Sequence, residues 1–307
     1  MIDEKLLNNY FKDRLLREVP MAKLTTSRVG GPARFYVIAA SANQLAADVS
    51  FLWEQQIPFF LLGSGANILV SDNGLDMLVL HNQARKITIE GQGNSPSVIA
   101  ESGAILASVA RAAAEHGLSG LEWAATVPGT VGGAVYGNAG AFGSDIEHCL
   151  LTTEVLQREG KHVSLTSSEM GYAYRSSTLK REPGQSIILS ARFETVKGNP
   201  EEILATMNNF IERRRTTQPA GASTGSTFKN PPGDFAGRLI EACGLKGTRI
   251  GGVQISPLHA NFFINDGTGT ARDYYNLIKL VQHEVRKKFD IELETEIEWV
   301  GDWRSAE

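Results

Sequence analysis

The chemistry this chain can do is suggested first by its glycines. Residues 121–146, LEWAATVPGTVGGAVYGNAGAFGSDI, carry no charge between Glu122 and Asp145 and are broken by glycine at 129, 132, 133, 137, 140 and 143. Glycine loses more conformational entropy on folding than any other residue, so this density implies backbone running unusually close to something else. Pro128-Gly129-Thr130 reads as a tight turn whose amides could face a ligand, and Asn138 could satisfy a buried donor and a buried acceptor together. Such a stretch suits wrapping a flat or phosphorylated ligand, although a buried Gly/Ala packing loop has the same composition. A second stretch, FFLLGSGANILV at 59–70, reads as strand, Gly-rich turn and strand. A dinucleotide fingerprint needs a third glycine and a following helix. Here Ile68-Leu69-Val70 reads as a strand, so any phosphate cradle would be a nest of successive N–H groups and not a helix N-terminus.

Elements must hold these loops. RFYVIAA at 34–40 reads as a strand, and Ser41 with Gln44 forms a capping box for an amphipathic helix to about 56. Strands are expected near 59–62, 68–70, 77–81, 86–90 and 97–101, and a helix over 103–116 ends at Gly117. These runs are too closely spaced for a purely parallel, doubly wound sheet. Residues 152–158 and 162–165 suggest a hairpin around Glu159-Gly160, 186–196 a long strand, and Asn199-Pro200-Glu201-Glu202 a strong helix start. Helices follow near 234–243 and over 270–289, the last capped by Thr270 and Asp273. The final stretch, 291–299, alternates as a strand, with Glu292, Glu294, Glu296 and Glu298 on one face.

Composition bounds the rest. The chain has 307 residues, enough for two or three cores, and a formal charge of −4 that gives no argument for nucleic acid or membrane. Two cysteines, Cys149 and Cys243, make no disulfide framework. No apolar run approaches the roughly 20 residues of a membrane span. The N-terminal amphipathic pattern is no signal peptide. A cytoplasmic protein without a metal site is the expectation.

With these motifs in hand, the chain resembles the UDP-N-acetylenolpyruvoylglucosamine reductase family. LLGSGANILVSD at 61–72 and VPGTVGGAVYGNAGAFG at 127–143 look like that family's FAD-binding stretches. Tyr174-Arg175-Ser176-Ser177, Gln218-Pro219, GSTFKNP at 225–231 and Leu293-Glu294-Thr295-Glu296 follow in the family's order. The resemblance spans about 22–301, and GSTFKNP is its most specific block. It implies an α+β / α/β fold: an FAD-binding fold of the vanillyl-alcohol-oxidase type in two subdomains, 1–80 and 81–215, and an α+β substrate-binding domain, 216–290. Residues 291–307 would return to the second subdomain.

The resemblance further implies NADPH-dependent, FAD-mediated reduction of UDP-N-acetylglucosamine enolpyruvate, with noncovalent FAD, because neither Gly-rich loop holds His or Cys. Ser226 would protonate the substrate α-carbon; it follows the permissive Gly225 and precedes Thr227-Phe228, which can anchor it. A serine in a turn is ordinarily structural, and only the surrounding block points to catalysis. Arg175 would stabilise the developing enolate with its guanidinium fork. Glu296 would be the third catalytic member, protonated or hydrogen-bonded to the enolate. Cofactor contacts would come from Arg28, Gly63, Ser64, Gly65, Ala66, Asn67, Ile68, Val127, Pro128, Gly129, Thr130, Gly132, Gly133, Asn138, Gly140 and Ala141. Substrate contacts would come from Tyr174, Gln218, Asn230, Lys246 and His259, although a surface lysine and a core-capping histidine are ordinary alternatives. Two features depart from the common pattern. Ala66 stands where the family usually has serine, and no tyrosine-bearing insertion separates Arg175 from Ser226, as in the shorter subclass. Another FAD oxidase of the same fold, and a catalytically inactive sugar-nucleotide binder, are the competing readings.

Overall fold

The computed structural model describes residues 2–91 and 95–303, so the last four residues of the expected C-terminal return lie outside the described residues. Contacts divide the chain into two units, one of residues 1–3, 37–64 and 80–214, the other of 4–36, 65–79 and 215–307. The strands Pro32–Ala39 and Leu75–Asn82 each run from one unit into the other.

The first unit is built on a five-stranded antiparallel sheet. Its order is His162–Thr166, Leu150–Gln157, Ser186–Glu194, Ser97–Glu101 and Ile87–Glu90. Leu150–Gln157 and His162–Thr166 form the expected hairpin, in register at Val155 and Val163. Helix Leu106–Glu115 buries Leu106, Val109, Ala110, Ala113 and Ala114, the small residues letting it lie close to its neighbours. Phe193, Val98, Trp123 and Met170 complete this core.

The second unit packs the helices Ala236–Ala242 and Ala271–Phe289 with a small antiparallel sheet, Arg249–Ile250, Val253–Ile255 and Phe263–Asn265. Thr270 and Asp273 form the expected capping box of the long helix. Asp72 adds to it, accepting from the amides of Ala271 and Arg272 at 2.9 Å each. A carboxylate at a helix N-terminus satisfies donors that have no partner within the helix. Strand Ile68–Val70, which leaves the first Gly-rich turn, pairs parallel with Glu298–Val300.

Three elements differ from the sequence reading. Leu16–Pro20 is a strand paired with Pro32–Ala39, though LREVP lacks apolar alternation and is mostly exposed. Val131–Gly137 inside the Gly-rich stretch is a short helix, capped by the Thr130 hydroxyl accepting from Gly133. The expected strand over 291–299 is regular only at Glu298–Val300, because the backbone bends at Glu296 and Ile297. No helix among the described residues is long and apolar enough to cross a membrane.

Candidate active site

In the first unit, the Gly-rich stretch is pinned at its start. Val131 N donates to Ala104 O and Gly132 N to Ser102 O, both at 2.8 Å, and Gly129 O accepts from Leu106 N at 3.1 Å. The amides of Val131, Gly132 and Gly133 are therefore used inside the protein. Close approach explains Gly132, where a Cβ would lie 3.1 Å from the Ser102 carbonyl oxygen. At Gly140 a Cβ would meet Ser144 O at 2.8 Å, within the ribbon that pairs Gly140–Ala141 with Ser144–Asp145. At Gly129, Gly137 and Gly143 a Cβ would meet nothing within 4 Å, so the backbone there is open to approach. Pro128 is exposed and Val127 half-buried.

Arg175 is presented by a loop tied to this stretch. Ala173 and Ser176 exchange backbone hydrogen bonds at 3.1 and 3.0 Å, leaving Tyr174 and Arg175 as the two tip residues. Ser177, fully buried, donates to Tyr136 O at 2.7 Å and accepts from Lys180 N. Asn138 does use both ends of its carboxamide, accepting from Glu147 N at 3.0 Å and donating to Ala173 O at 3.5 Å. Arg175 itself has φ of 55°, a left-handed conformation disfavoured for a residue with a Cβ, and its guanidinium lies 5.4 Å from the centroid of the exposed Tyr174 ring. Gly63 packs closely enough that a Cβ would lie 2.8 Å from the Thr130 hydroxyl. Beneath it, buried His81 shares a hydrogen bond with the Gly63 backbone. Burial foremost, with Arg85 nearby, pushes the His81 pKa down to about 4 against that hydrogen bond.

In the second unit, Ser226, Thr227 and Phe228 form the middle of a small three-way ladder. On one side Ser226 bridges Phe262 and Thr227 N donates to Asn261 O at 2.8 Å. On the other, Phe228 bridges Thr295 and Glu296 N donates to Thr227 O at 2.9 Å. The fold thus brings the backbones of Ser226 and Glu296 to adjacent positions across the ladder, both half-buried. Asn67 joins from the first Gly-rich turn: its Nδ2 donates to Glu296 O, and its carbonyl accepts from Glu298 N, both at 3.0 Å. Gly65, with φ of +65°, permits that turn; a Cβ there would lie 2.1 Å from Leu24 O. Ala66 O and Gly65 O face the Thr26 hydroxyl, while Ser64 is half-buried in the first unit. Arg28 is exposed at φ of 57°, between buried Ser27 and Val29, on a turn closed by Thr25 Oγ1 donating to Val29 O at 2.9 Å.

The expected substrate contacts have local partners. Lys246 pairs with Glu241 at 2.7 Å, and Asn230 Oδ1 accepts from Ala236 N at 3.1 Å, at the start of helix Ala236–Ala242. His259 Nδ1 accepts from Asn261 N at 3.2 Å, and burial lowers its pKa, which keeps the ring neutral. Gln218 Oε1 is buried without a hydrogen-bond partner among the described residues, as are the hydroxyls of Ser27, Thr224 and Thr227. Buried polar atoms without partners are costly. The three hydroxyls lie within two residues of Arg28 or Ser226 in sequence and suit a polar ligand such as a sugar-nucleotide. In the first unit, the open backbone at Gly129, Gly137 and Gly143 by itself fits a flat, phosphate-bearing cofactor. Sequence reasoning missed Asn265. It is buried, and its Nδ2 donates to Ser27 O at 2.9 Å while its Oδ1 accepts from Gly267 and Gly269. Nothing but the polarity of an asparagine in an apolar run marked it.

Comparison with known proteins agrees with this arrangement. Residues 33–166 match the model of an FAD binding domain. Residues 217–300 match that of the UDP-N-acetylenolpyruvoylglucosamine reductase C-terminal domain. The chain is 40% identical over 285 residues to the Rubrobacter xylanophilus UDP-N-acetylenolpyruvoylglucosamine reductase, covering 92% of this chain and 94% of that one. It is 40% identical over 301 residues to the Caldanaerobacter subterraneus enzyme, covering 97% and 98%. The crystal structure of the Thermus caldophilus reductase superposes with a TM-score of 0.79 at 33% identity, over 93% of this chain and 98% of that one. The fold and these matches define a flavoprotein oxidoreductase with an FAD-binding domain. Its chemistry is directed at an enolpyruvyl group. The chain belongs to the UDP-N-acetylenolpyruvoylglucosamine reductase family. Its reaction is the reduction of UDP-N-acetylglucosamine enolpyruvate in peptidoglycan precursor synthesis, with FAD as cofactor.

Proposed function

We propose that Ser226, Arg175 and Glu296 carry this reaction in the cytoplasm, with NADPH as the hydride source. The supporting observation is the ladder that holds Ser226 and Glu296 at adjacent backbone positions, each from a separate segment of sequence. When bound, FAD would supply hydride to the β-carbon of the enolpyruvyl double bond, with NADPH as the source. Open backbone at Gly129, Gly137 and Gly143, the Gly63-to-Ile68 turn and Arg28 would hold the cofactor. Negative charge then develops on the α-carbon and spreads into the substrate carboxylate. The Arg175 guanidinium, a permanent planar fork, stabilises that charge. The Ser226 hydroxyl donates its proton to the α-carbon, completing the saturated ether. Glu296, in its protonated form, donates a hydrogen bond to the developing enolate. Gln218, Asn230, Lys246, His259 and Tyr174 orient the sugar-nucleotide.

Separating the half-reactions tests this. Ser226→Ala leaves flavin reduction by NADPH near its parental rate, since that hydride transfer uses no proton from serine. Reoxidation by UDP-N-acetylglucosamine enolpyruvate falls by about 10²–10⁴-fold, the usual worth of a positioned general acid. Equal slowing of both half-reactions would remove the serine from proton transfer.

A further inference from the structure

We propose that Asn261 is a positioning residue for the proton donor, holding Ser226 in register through the backbone of Thr227 and Phe228. The inference rests on the reading of Ser226 given above. Asn261 is 3% exposed and every polar group of its side chain is used on one neighbour. Its Oδ1 accepts from Phe228 N at 2.9 Å and its Nδ2 donates to Phe228 O at 2.8 Å. Its main-chain carbonyl accepts from Thr227 N at 2.8 Å. The ladder between 226–228 and 261–262 would need a further residue to bond Phe228, but the chain has already turned away at His259 and Ala260. The carboxamide therefore stands in for the missing peptide group, offering one donor and one acceptor at peptide-like spacing.

On its other side Ser226 follows a glycine that packs no side chain. Gly225 has φ of +77° and nothing within 4 Å of a would-be Cβ, so only backbone pairing holds the serine from that side. Asn261 is itself held: its amide donates to His259 Nδ1, and that ring packs edge-on against Phe262 at 5.0 Å between centroids. Misplacement of a reacting group by about 1 Å typically costs on the order of 10²-fold.

The test uses anaerobic rapid-mixing kinetics on the FAD-loaded full chain with Asn261→Ala, Asn261→Asp, Ser226→Ala and the Ala/Ala double variant. Asn261→Ala retains FAD and is reduced by NADPH at close to the parental rate. Its reoxidation by UDP-N-acetylglucosamine enolpyruvate falls about 10²-fold and acquires a larger solvent deuterium isotope effect. The double variant is no slower than Ser226→Ala, because the asparagine acts only through the serine. Asn261→Asp adds a signature that simple destabilisation lacks. Its protonated carboxyl reproduces the carboxamide's donor and acceptor, so its reoxidation rate relative to the parent rises as pH falls, while that of Asn261→Ala does not. Additive losses in the double variant, a flat pH ratio for Asn261→Asp, or loss of FAD and both half-reactions in both Asn261 variants would overturn the proposal. Normal reoxidation in Ser226→Ala would instead overturn the proton-donor reading, and the proposal with it.

Discussion

Replacing Gly65 with alanine asks whether the first Gly-rich turn is shaped as described. Two costs follow from its geometry. At φ of +65° an alanine pays about 1–2 kcal/mol for the left-handed conformation. Its Cβ would also stand 2.1 Å from Leu24 O and 2.9 Å from Thr25 Cα. Both are backbone atoms, so the segment must retreat by about 1 Å or more to reach ordinary contact. That movement breaks the 3.0 Å bond from Thr26 N to Gly65 O, worth about 1 kcal/mol net. The expected destabilisation is therefore about 3 kcal/mol, large for one methyl group. Gly225→Ala is the control: φ is +77° but its Cβ meets nothing, leaving only the conformational cost of about 1–2 kcal/mol. Urea unfolding of the flavin-free proteins measures the difference, and flavin fluorescence titration measures FAD binding, expected to weaken by about 10²-fold in Gly65→Ala if that cost falls on the binding-competent loop. Equal stability and equal FAD affinity in the two variants would refute the reasoning.

Two further outcomes can be read independently. Arg175→Lys keeps the charge and loses the planar fork, so turnover falls by about 10²-fold with little change in FAD affinity; unchanged turnover would remove Arg175 from the mechanism. His81 titrates near 6.5 when unfolded and about 4 when folded, so between those values the unfolded chain holds the extra proton and acidification destabilises the fold. The loss reaches about 3 kcal/mol at pH 4, and His81→Gln should flatten stability against pH in that window; an unchanged slope would assign the effect to other groups.

Much of this site was legible as local sequence. The capping box at Thr270, the Glu159-Gly160 hairpin and the strand–turn–strand around Gly65 are short-range and form as their residues imply. At Ser41 the hydroxyl caps Gln44 N as expected, but the Gln44 side chain accepts from Ala40 N, one residue before the box position. The unread parts depend on distant partners. Thr130 starts a helix among three glycines because Ser102 and Ala104 accept its first amides, which no local propensity announces. The alternation over 291–299 overstated the strand, because Glu296 gives its amide to Thr227 and its carbonyl to Asn67 at a bend. Leu16–Pro20 is a strand by pairing alone. The Asn67 side chain donates to the Glu296 backbone, a bond between segments 229 residues apart in sequence. Roles of that kind belong to the fold and not to a motif.

The central claim, an FAD-dependent reductase of an enolpyruvyl ether, is tested most directly by one anaerobic titration. The purified protein is expected to be yellow, and NADPH should bleach its visible flavin band. Stoichiometric UDP-N-acetylglucosamine enolpyruvate should then restore the band without oxygen, yielding UDP-N-acetylmuramate. A band that stays bleached with that substrate and returns only on admitting air would contradict the account and identify an oxidase instead.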